Sequence, residues 1–266
     1  MNLIIGLIFF ILAIIMVILI VIIIIYFLRK PLYEEFINDK ILISIVTIDR
    51  DAYAIEQVYD SIKHLLNSEK VDLLIVCRES DTICIKKWKQ LYPNVIIETV
   101  PHYNIIDRHN QNALVKKRNI SRNFALNNDY DYLFFIDSDI IINRDTLYKL
   151  VVGCKSPYSA DICLIPYDVK WLNHSAIGIV DPKTESGFNI KKVEYSMLEP
   201  EKYIDCAIGG MGCTLLNRKA LTIPFENIKL KNGDKDAFGE DIGYFVNAYK
   251  NGLSVKYLKN HIVKHL

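Results

Sequence analysis

The sequence predicts an α/β domain with a mostly parallel sheet flanked by helices, preceded by one transmembrane helix. Three observations support this fold class. Apolar runs of strand length alternate with helical segments after residue 40, and an almost unbroken apolar stretch without charge fills residues 3–28. The apolar run at residues 132–136 ends in two carboxylates, Asp137 and Asp139. Such alternation is typical of a sheet covered by helices on both faces.

The apolar amino-terminal stretch is long enough to cross a membrane. At about 1.5 Å per helical residue it reaches about 40 Å, against a bilayer core of about 30 Å. It is too long for the core of a signal peptide and lacks an Ala-x-Ala-like cleavage site. We therefore expect an uncleaved single-pass anchor at residues 1–28, a linker at 29–40 and one folded domain at 41–266.

The orientation of this anchor stays open. Arg29 and Lys30 follow the apolar stretch, and the positive-inside rule taken literally places the large domain in the cytoplasm. Glu34 and Glu35 partly offset these two cations. The lumen of an endomembrane compartment such as the Golgi therefore remains the alternative location.

Charge and cysteine content exclude some classes of function. The net charge is +1, which gives no bulk attraction to nucleic acid. The six cysteines show no Cys-x-x-Cys spacing, which disfavours a zinc site or a dithiol redox site. Several lie in apolar runs, where cysteine behaves as a small buried hydrophobe.

The order of elements follows from hydrophobic spacing. In the first half, strands alternate with helices; the strands are predicted at residues 41–48, 71–77, 94–100 and 132–136, and the helices at 53–66, 82–91 and 114–127. The second half is less regular, with strands predicted at 161–167, 214–216 and 254–258, a loop-like stretch at 169–200, a Gly-rich turn at 208–213 and a helix from 239 to about 251. Gly252 suits the carboxyl-terminal cap of that helix.

Asp137 and Asp139 are the first candidate functional residues. They follow a strand predicted to be buried on both faces, so they emerge at the carboxyl edge of the sheet, where α/β proteins bind ligands. Two adjacent carboxylates repel each other, a cost usually offset by a cation or another partner. Oxygen ligands favour a hard ion such as Mg²⁺ or Mn²⁺. The alternative is that the Asp-x-Asp turn merely caps the next helix.

Several ordered motifs together resemble the GT-A fold of nucleotide-sugar-dependent glycosyltransferases, of the family-2-like or Anp1-like mannosyltransferase type. Residues 118–125 and then 132–139 are similar to the family's Arg-Asn helix followed by its Asp-x-Asp strand. Residues 209–216 with Arg218 resemble its Gly-rich acceptor-side segment, and residues 239–241 its acidic catalytic motif. His265 lies where many members have a late metal-binding histidine. The resemblance covers about residue 41 to the end of the chain.

The resemblance implies a divalent metal ion, Mn²⁺ or Mg²⁺, that bridges the donor diphosphate. Asp139 and His265 would hold this ion, with Asp137 assisting as a ligand or through the ribose. His261 is the alternative histidine ligand. Arg118 would face the phosphates, and Arg122, one helical turn later, would face them too or else lie on a solvated helix face with the neighbouring lysines.

Two further groups of residues are expected to bind the nucleotide sugar and to act on the acceptor. Nucleotide-sugar binding is expected at the ends of the first two strands, by Thr47, Arg50, Glu79 and Asp81, although the family often shows Asp-Gly-Ser-x-Asp where this chain has residues 78–81. Asp241 is the candidate base for the acceptor hydroxyl, and Glu240 the neighbour that positions a substrate. Acids in the first turn of a helix can instead simply complement its dipole.

The predicted function is transfer of a sugar from a nucleotide-diphosphate sugar to a hydroxyl of a glycan, protein or lipid, by an enzyme tethered to a membrane through its amino-terminal helix. The donor sugar, the acceptor and the stereochemical outcome are not encoded in recognisable motifs. One alternative is a phosphatase of the haloacid-dehalogenase type, which also carries Asp-x-Asp after a strand. Another is a membrane-anchored domain that binds a glycan or nucleotide without catalysis.

Overall fold

The computed structural model describes residues 15–20, 38–101, 111–167, 177–180, 188–191, 200–227 and 239–266. The chain divides into two units, Met1–Asn38 and Asp39–Leu266. In the first unit, residues 15–20 are helical and their apolar side chains are exposed. Among the residues described, no helix has the length and apolar character needed to cross a membrane. Most of the predicted anchor, residues 1–14 and 21–28, lies outside the described residues.

An eight-stranded sheet organises the second unit, in the order β3-β2-β1-β4-β11-β6-β12-β9. The strands are β1 (Ile41–Val46), β2 (Val71–Arg78), β3 (Ile96–Val100), β4 (Tyr132–Asp137), β6 (Ile162–Leu164), β9 (Lys202–Asp205), β11 (Cys213–Asn217) and β12 (Val255–Lys259). Strands β9 and β11 run against the other six. The predicted α/β class is thus confirmed, as a mixed sheet that is parallel throughout its first half.

Five helices are described in the second unit: α1 (Ile55–Ile62), α2 (Thr82–Leu91), α3 (Gln111–Asn127), α4 (Thr146–Cys154) and α5 (Glu240–Lys250). Helix α2 has the bounds predicted from its spacing, and α3 ends where predicted. Helix α1 is shorter than predicted at both ends. Residues Asp49–Tyr53 form a separate 3-10 turn before it, and the helix ends at Ile62. Helix α5 ends as expected before Gly252, whose φ of 68° is a left-handed conformation that glycine adopts without strain.

The two faces of the sheet are covered by different helices because strand side chains alternate between faces. Leu42 and Val46 of β1 belong to the same core cluster as Ala125 of α3 and Tyr244 of α5. The one polar side chain on this face of β1, Ser44, is buried and donates to Ser121 Oγ of α3 at 2.7 Å. A hydrogen-bonded hydroxyl pair therefore fixes α3 against the centre of the sheet.

The second half of the chain differs most from its prediction. Within the stretch predicted as loop-like at 169–200, β7 (Ile177–Val180) and β8 (Phe188–Lys191) form an antiparallel pair, joined at its edge by β10 (Ile208–Gly209). Strand β11 enters the main sheet between β4 and β6. Two further short strands, β5 (Ile140–Ile141) and β13 (Lys264–His265), pair with each other. These long-range pairings leave no periodic signal in short segments.

Candidate functional site

The carboxyl end of β4 is the centre of the candidate site. Strands β1, β2, β4 and β6 run in the same direction, so the residues that follow each of them meet at one edge of the sheet. The amino end of α5 and the carboxyl-terminal residues of the chain supply further side chains near Asp137 and Asp139. Residues far apart in sequence are thus assembled around the Asp-x-Asp turn.

Asp137 is paired with an arginine. Arg118 Nη2 of α3 donates to Asp137 Oδ1 at 2.6 Å, and the Arg118 side chain is only 3% exposed. Its guanidinium lies 4.6 Å from the ring centre of Phe135, on the strand that carries Asp137. Burial by itself would lower the pKa of Arg118, but the nearby carboxylates outweigh it and raise that pKa. Arg118 therefore remains a buried cation.

Glu240 and Asp241 open helix α5 beside this pair. Glu240 Oε1 lies 3.8 Å from Arg118 Nε. Burial, with added repulsion from Asp241 and Asp137, raises the pKa of Glu240 to about 7 although Arg118 opposes the rise. Burial also raises the pKa of Asp241, although its carboxylate accepts a 2.7 Å hydrogen bond from the backbone N–H of Ile242. A helix amino end favours ionised acids, so burial outweighs the helix dipole here.

Asp139 is brought to His265 by the last strand of the chain. His265 Nε2 lies 3.0 Å from Asp139 Oδ2, and both side chains are partly exposed. The register of β13 against β5 places His265 opposite Ile140, and the backbone N–H of Leu266 donates to the carbonyl oxygen of Asp139 at 2.9 Å. The terminal residues are therefore held by backbone hydrogen bonds.

His261 occupies a different environment. It is 5% exposed, its Nδ1 lies 3.0 Å from Glu201 Oε1 and 3.1 Å from Lys149 Nζ, and its Nε2 lies 3.3 Å from Thr146 Oγ1. These partners belong to α4 and to the approach to β9. Of the two histidines that the sequence left open, the structure brings His265 and not His261 to the Asp-x-Asp turn.

Asp139 and His265 are the side chains at this turn that could serve as ligands of a divalent cation. His265 Nε2 and Asp139 Oδ2 lie 3.0 Å apart, which is a hydrogen-bond distance and also close to the spacing of about 3 Å between neighbouring ligands of an octahedral ion. Among the described residues, no group of three or more His, Cys, Asp or Glu side chains is spaced to hold a metal. Asp137 bonds Arg118, so a cation here would have Asp139 and His265 as its protein ligands.

The predicted nucleotide side shows a mixed outcome. Asp81 is 5% exposed and accepts hydrogen bonds from the backbone N–H groups of Arg78 at 2.8 Å and Asp49 at 3.2 Å. The side chain of Thr47 is buried, whereas Glu79 is an exposed residue. Among the residues expected to contact a nucleotide, Asp81 therefore has the most fixed geometry.

Two cations on the nucleotide side have different environments. The Arg50 side chain is 83% exposed and lies 3.4 Å from Asp51. Lys117, part of the solvated helix face that the sequence left open as an alternative, is buried and donates to the carbonyl oxygen of Thr47 at 2.7 Å. Burial lowers the pKa of Lys117, although nearby acids partly oppose this.

Arg122 does not share a target with Arg118. Its Nε donates to the carbonyl oxygen of Leu221 at 2.6 Å and its Nη2 to that of Thr222 at 3.1 Å. These bonds fix the 3-10 turn Ala220–Thr222 against α3. Of the two roles that the sequence left open for Arg122, phosphate contact or a solvated helix face, the structure matches neither, because its guanidinium bonds the backbone of this turn.

Tyr167 is a site residue that the sequence reasoning missed. It follows β6 at the same edge of the sheet, and its ring packs edge-on against His265 with centroids 5.8 Å apart. A Cβ added at Gly212 would lie 2.9 Å from Tyr167 Cζ and would also collide with the carboxylate of Asp137. The Gly-rich segment is thus explained by the close approach of these two side chains. In the sequence, Tyr167 is the last residue of the strand predicted at 161–167, which places it at the same edge as the other candidate residues.

Known proteins resemble this chain in three-dimensional structure, whereas comparisons of sequence found no match. No protein-family model matches the chain, and no curated protein matches it in sequence. The mannosyltransferase PcManGT from Pyrobaculum calidifontis, in complex with GDP-Man and Mn²⁺, superimposes with a TM-score of 0.53 and 14% identity over 90% of this chain and 61% of that chain. Glucosyl-3-phosphoglycerate synthase from Mycobacterium tuberculosis, in complex with phosphoglyceric acid, gives a TM-score of 0.53 and 15% identity over 86% of this chain and 72% of that chain.

A third similar structure is that of S. aureus TarS 1-349 in complex with UDP-GlcNAc, with a TM-score of 0.52 and 16% identity over 85% of this chain and 58% of that chain. The chain thus spans about three fifths of PcManGT (61%) and of TarS (58%). These likenesses establish that the large unit has the GT-A fold of glycosyltransferases.

Proposed function

We propose that the protein is a glycosyltransferase that moves a sugar from a nucleotide-diphosphate sugar to a hydroxyl acceptor, with a divalent metal at Asp139 and His265. One observation carries the proposal: the GT-A fold brings the Asp139–His265 pair and the Arg118, Asp137, Glu240 and Asp241 cluster to the carboxyl edge of one sheet. An excess of carboxylates at a ligand-binding edge favours a cation.

The departing diphosphate needs positive charge. Asp139 and His265 would hold Mn²⁺ or Mg²⁺, which supplies the charge that stabilises a diphosphate leaving group. Arg118 is 3% exposed and bonds Asp137 through Nη2, whereas its Nε and Nη1 have no hydrogen-bond partner among the described residues. Its proposed roles are to hold Asp137, to limit the repulsion among the acids and to face the donor phosphates.

The acceptor hydroxyl needs a base. Its oxygen forms a bond to the anomeric carbon as the bond from that carbon to the phosphate oxygen breaks, and its proton passes to a carboxylate. Asp241, whose pKa is raised and which is less buried than Glu240, is the proposed base. Glu240, more deeply buried and beside Arg118, is proposed to position the substrates.

Donor identity and metal dependence are tested together. The full-length chain, purified in detergent, is incubated with GDP-, UDP-, ADP- and dTDP-sugars, with Mn²⁺, with Mg²⁺ or with chelator. We expect release of nucleoside diphosphate from one class of donor, dependent on metal and lost in Asp139→Asn. The matched control is Asp129→Asn, which removes a carboxylate that is 85% exposed and paired with Arg218.

The other outcomes separate the rival functions. Cleavage of phosphate esters without release of nucleoside diphosphate would favour the phosphatase. The fold argues against this alternative, because the similar structures are glycosyltransferases. Nucleotide binding without any turnover would favour the non-catalytic binding domain. The predicted anchor would keep either activity at a membrane, where lipid-linked or membrane-bound acceptors are available.

A further inference from the structure

Tyr167 occupies a position between the two halves of the candidate site. It lies three residues after Leu164, the last residue of β6. It forms an isolated parallel β-bridge with Val263. The backbone N–H of Val263 donates to the carbonyl oxygen of Pro166 at 3.4 Å. The segment that carries Tyr167 is therefore attached to the same carboxyl-terminal residues that carry His265.

The ring of Tyr167 restricts the imidazole of His265. The two rings meet edge to face, with centroids 5.8 Å apart and planes at 71°. The same imidazole meets Asp139 through Nε2 at 3.0 Å. The Asp139 carboxylate and the Tyr167 ring therefore restrict the orientation of the His265 imidazole. Groups around a metal-binding histidine commonly orient it in this way.

The hydroxyl end of Tyr167 is fixed by the Gly-rich segment. Side chains added at Gly210 or Gly212 would collide with the phenol, so only glycine permits this approach. Gly212 is itself tied to the Asp-x-Asp turn, because the backbone N–H of Asp137 donates to its carbonyl oxygen at 2.9 Å.

We propose that Tyr167 is a positioning residue for the proposed metal site: its ring, fixed at the hydroxyl end by Gly210 and Gly212, holds the imidazole of His265 toward Asp139. This inference rests on the proposed function, because it concerns the same two ligands. It assigns no chemical step to Tyr167. Its effect is to reduce the freedom that His265 would otherwise lose when a cation binds.

The test measures Mn²⁺ affinity by electron paramagnetic resonance on the full-length chain in detergent, without sugar nucleotide. Tyr167→Phe keeps the ring and should weaken binding no more than about threefold, whereas Tyr167→Leu removes the aromatic wall and should weaken it about tenfold or more, as changes around metal ligands typically do. Tyr257→Leu is the control, because it removes a buried tyrosine from β12. It should leave Mn²⁺ affinity unchanged.

The outcomes separate this inference from the proposed function. If wild-type protein binds Mn²⁺ and Asp139→Asn abolishes that binding, but Tyr167→Leu binds as tightly as wild type, the positioning role is wrong and the metal site stands. Equal weakening by Tyr257→Leu would also refute the role, since the effect would then be general. If wild-type protein binds no Mn²⁺, the positioning role fails, whereas the proposed function is still judged by the release of nucleoside diphosphate. Should the leucine variant not fold, Tyr167→Met, with an unbranched and more adaptable side chain, replaces it.

Discussion

The two sides of the candidate site handle buried charge in different ways. On the side formed by β1 and β2, charged groups meet the backbone: Asp81 accepts from the N–H groups of Arg78 and Asp49, and Lys117 donates to the carbonyl oxygen of Thr47. Backbone partners are set by the fold and do not titrate. This side of the site is therefore built for fixed geometry.

On the side formed by β4 and α5, charged side chains contact other charged side chains. Arg118 bonds Asp137 and lies 3.8 Å from Glu240, with Asp241 adjacent in the chain. One guanidinium faces three carboxylates, and the pKa values of Glu240 and Asp241 are raised as a result of burial and mutual repulsion. The difference teaches that one side fixes its charges through the backbone, whereas the protonation of the carboxylates on the other side depends on their mutual interactions.

The largest effect is expected at the charged side, from Asp139→Asn. The amide keeps the shape but loses the charge that a cation requires, so metal-dependent release of nucleoside diphosphate should fall by about 10²–10³-fold. The rate is compared with that of Asp129→Asn at saturating Mn²⁺. A near-wild-type rate in Asp139→Asn would show that Asp139 does not hold the metal.

Next in size is the loss of stability in Arg118→Met. Removing the cation leaves Asp137 and Glu240 without their partner, and we expect a loss of about 3 kcal/mol in the free energy of unfolding. This is the lower end of the range for a fully buried pair because the Asp137 side chain is 34% exposed. Urea unfolding measures the change, with Arg218→Met, whose native side chain is 50% exposed, as the control. A loss as small as in that control would show that the acids need no counter-charge.

A pH-dependent change follows from Glu240. Its pKa is raised from 4.5 to about 7 in the folded protein, so the folded state binds more protons than the unfolded state between these values. The stability that this group contributes is fully present below pH 4.5 and is lost as pH rises through 7. Between pH 5 and 8 the loss should be about 2 kcal/mol.

The Glu240→Gln variant should remove this loss. Its free energy of unfolding should vary less between pH 5 and 8 than that of wild type, and at pH 8 it should equal or exceed the wild-type value, because no charge is then buried. Glu69→Gln, at an exposed position, should reproduce the wild-type profile. Parallel profiles for Glu240→Gln and wild type would contradict the raised pKa.

The smallest effect is expected from Lys117→Met, the neighbour of Arg118 on the same helix. Lys117 is buried and its hydrogen bond is to the carbonyl oxygen of Thr47, so a methionine of similar length removes a desolvated charge. Asp81, whose charge partly opposes the lowering of the Lys117 pKa by burial, keeps its hydrogen bonds to backbone N–H groups. We expect a change within about 1 kcal/mol in the free energy of unfolding. A loss as large as that of Arg118→Met would end the distinction between the two sides.

Much of the parallel half was predictable from the sequence. Its strands are near-continuous apolar runs, its helices have apolar residues at helical spacing, and these local patterns gave the α/β class, the bounds of α2 and the position of Asp137 and Asp139 at a strand end. The mixed half was less predictable. The β7–β8 pair and the insertion of β11 depend on partners far away in the chain.

Within the site, residue types were easier to predict than their partners. Arg118 was expected to face phosphate, and the structure adds a carboxylate partner, Asp137, and a neighbour, Glu240, that the sequence did not predict. The sequence left open a solvated helix face that includes Lys116 and Lys117, and the structure exposes Lys116 but buries Lys117. Burial of a charge depends on what packs over it, which the local sequence does not contain.

The sequence by itself determined the alternation of strands and helices, the carboxylate pair after β4, and the acids at the start of α5, because hydrophobic spacing and short motifs are local properties. Only the tertiary structure decided that His265 and not His261 meets Asp139, that Arg118 neutralises Asp137, and that Tyr167 borders the site. Each of these contacts joins residues at least 19 positions apart. Their distances are set by the register of β13 on β5 and by the packing of α3 and α5 on the sheet.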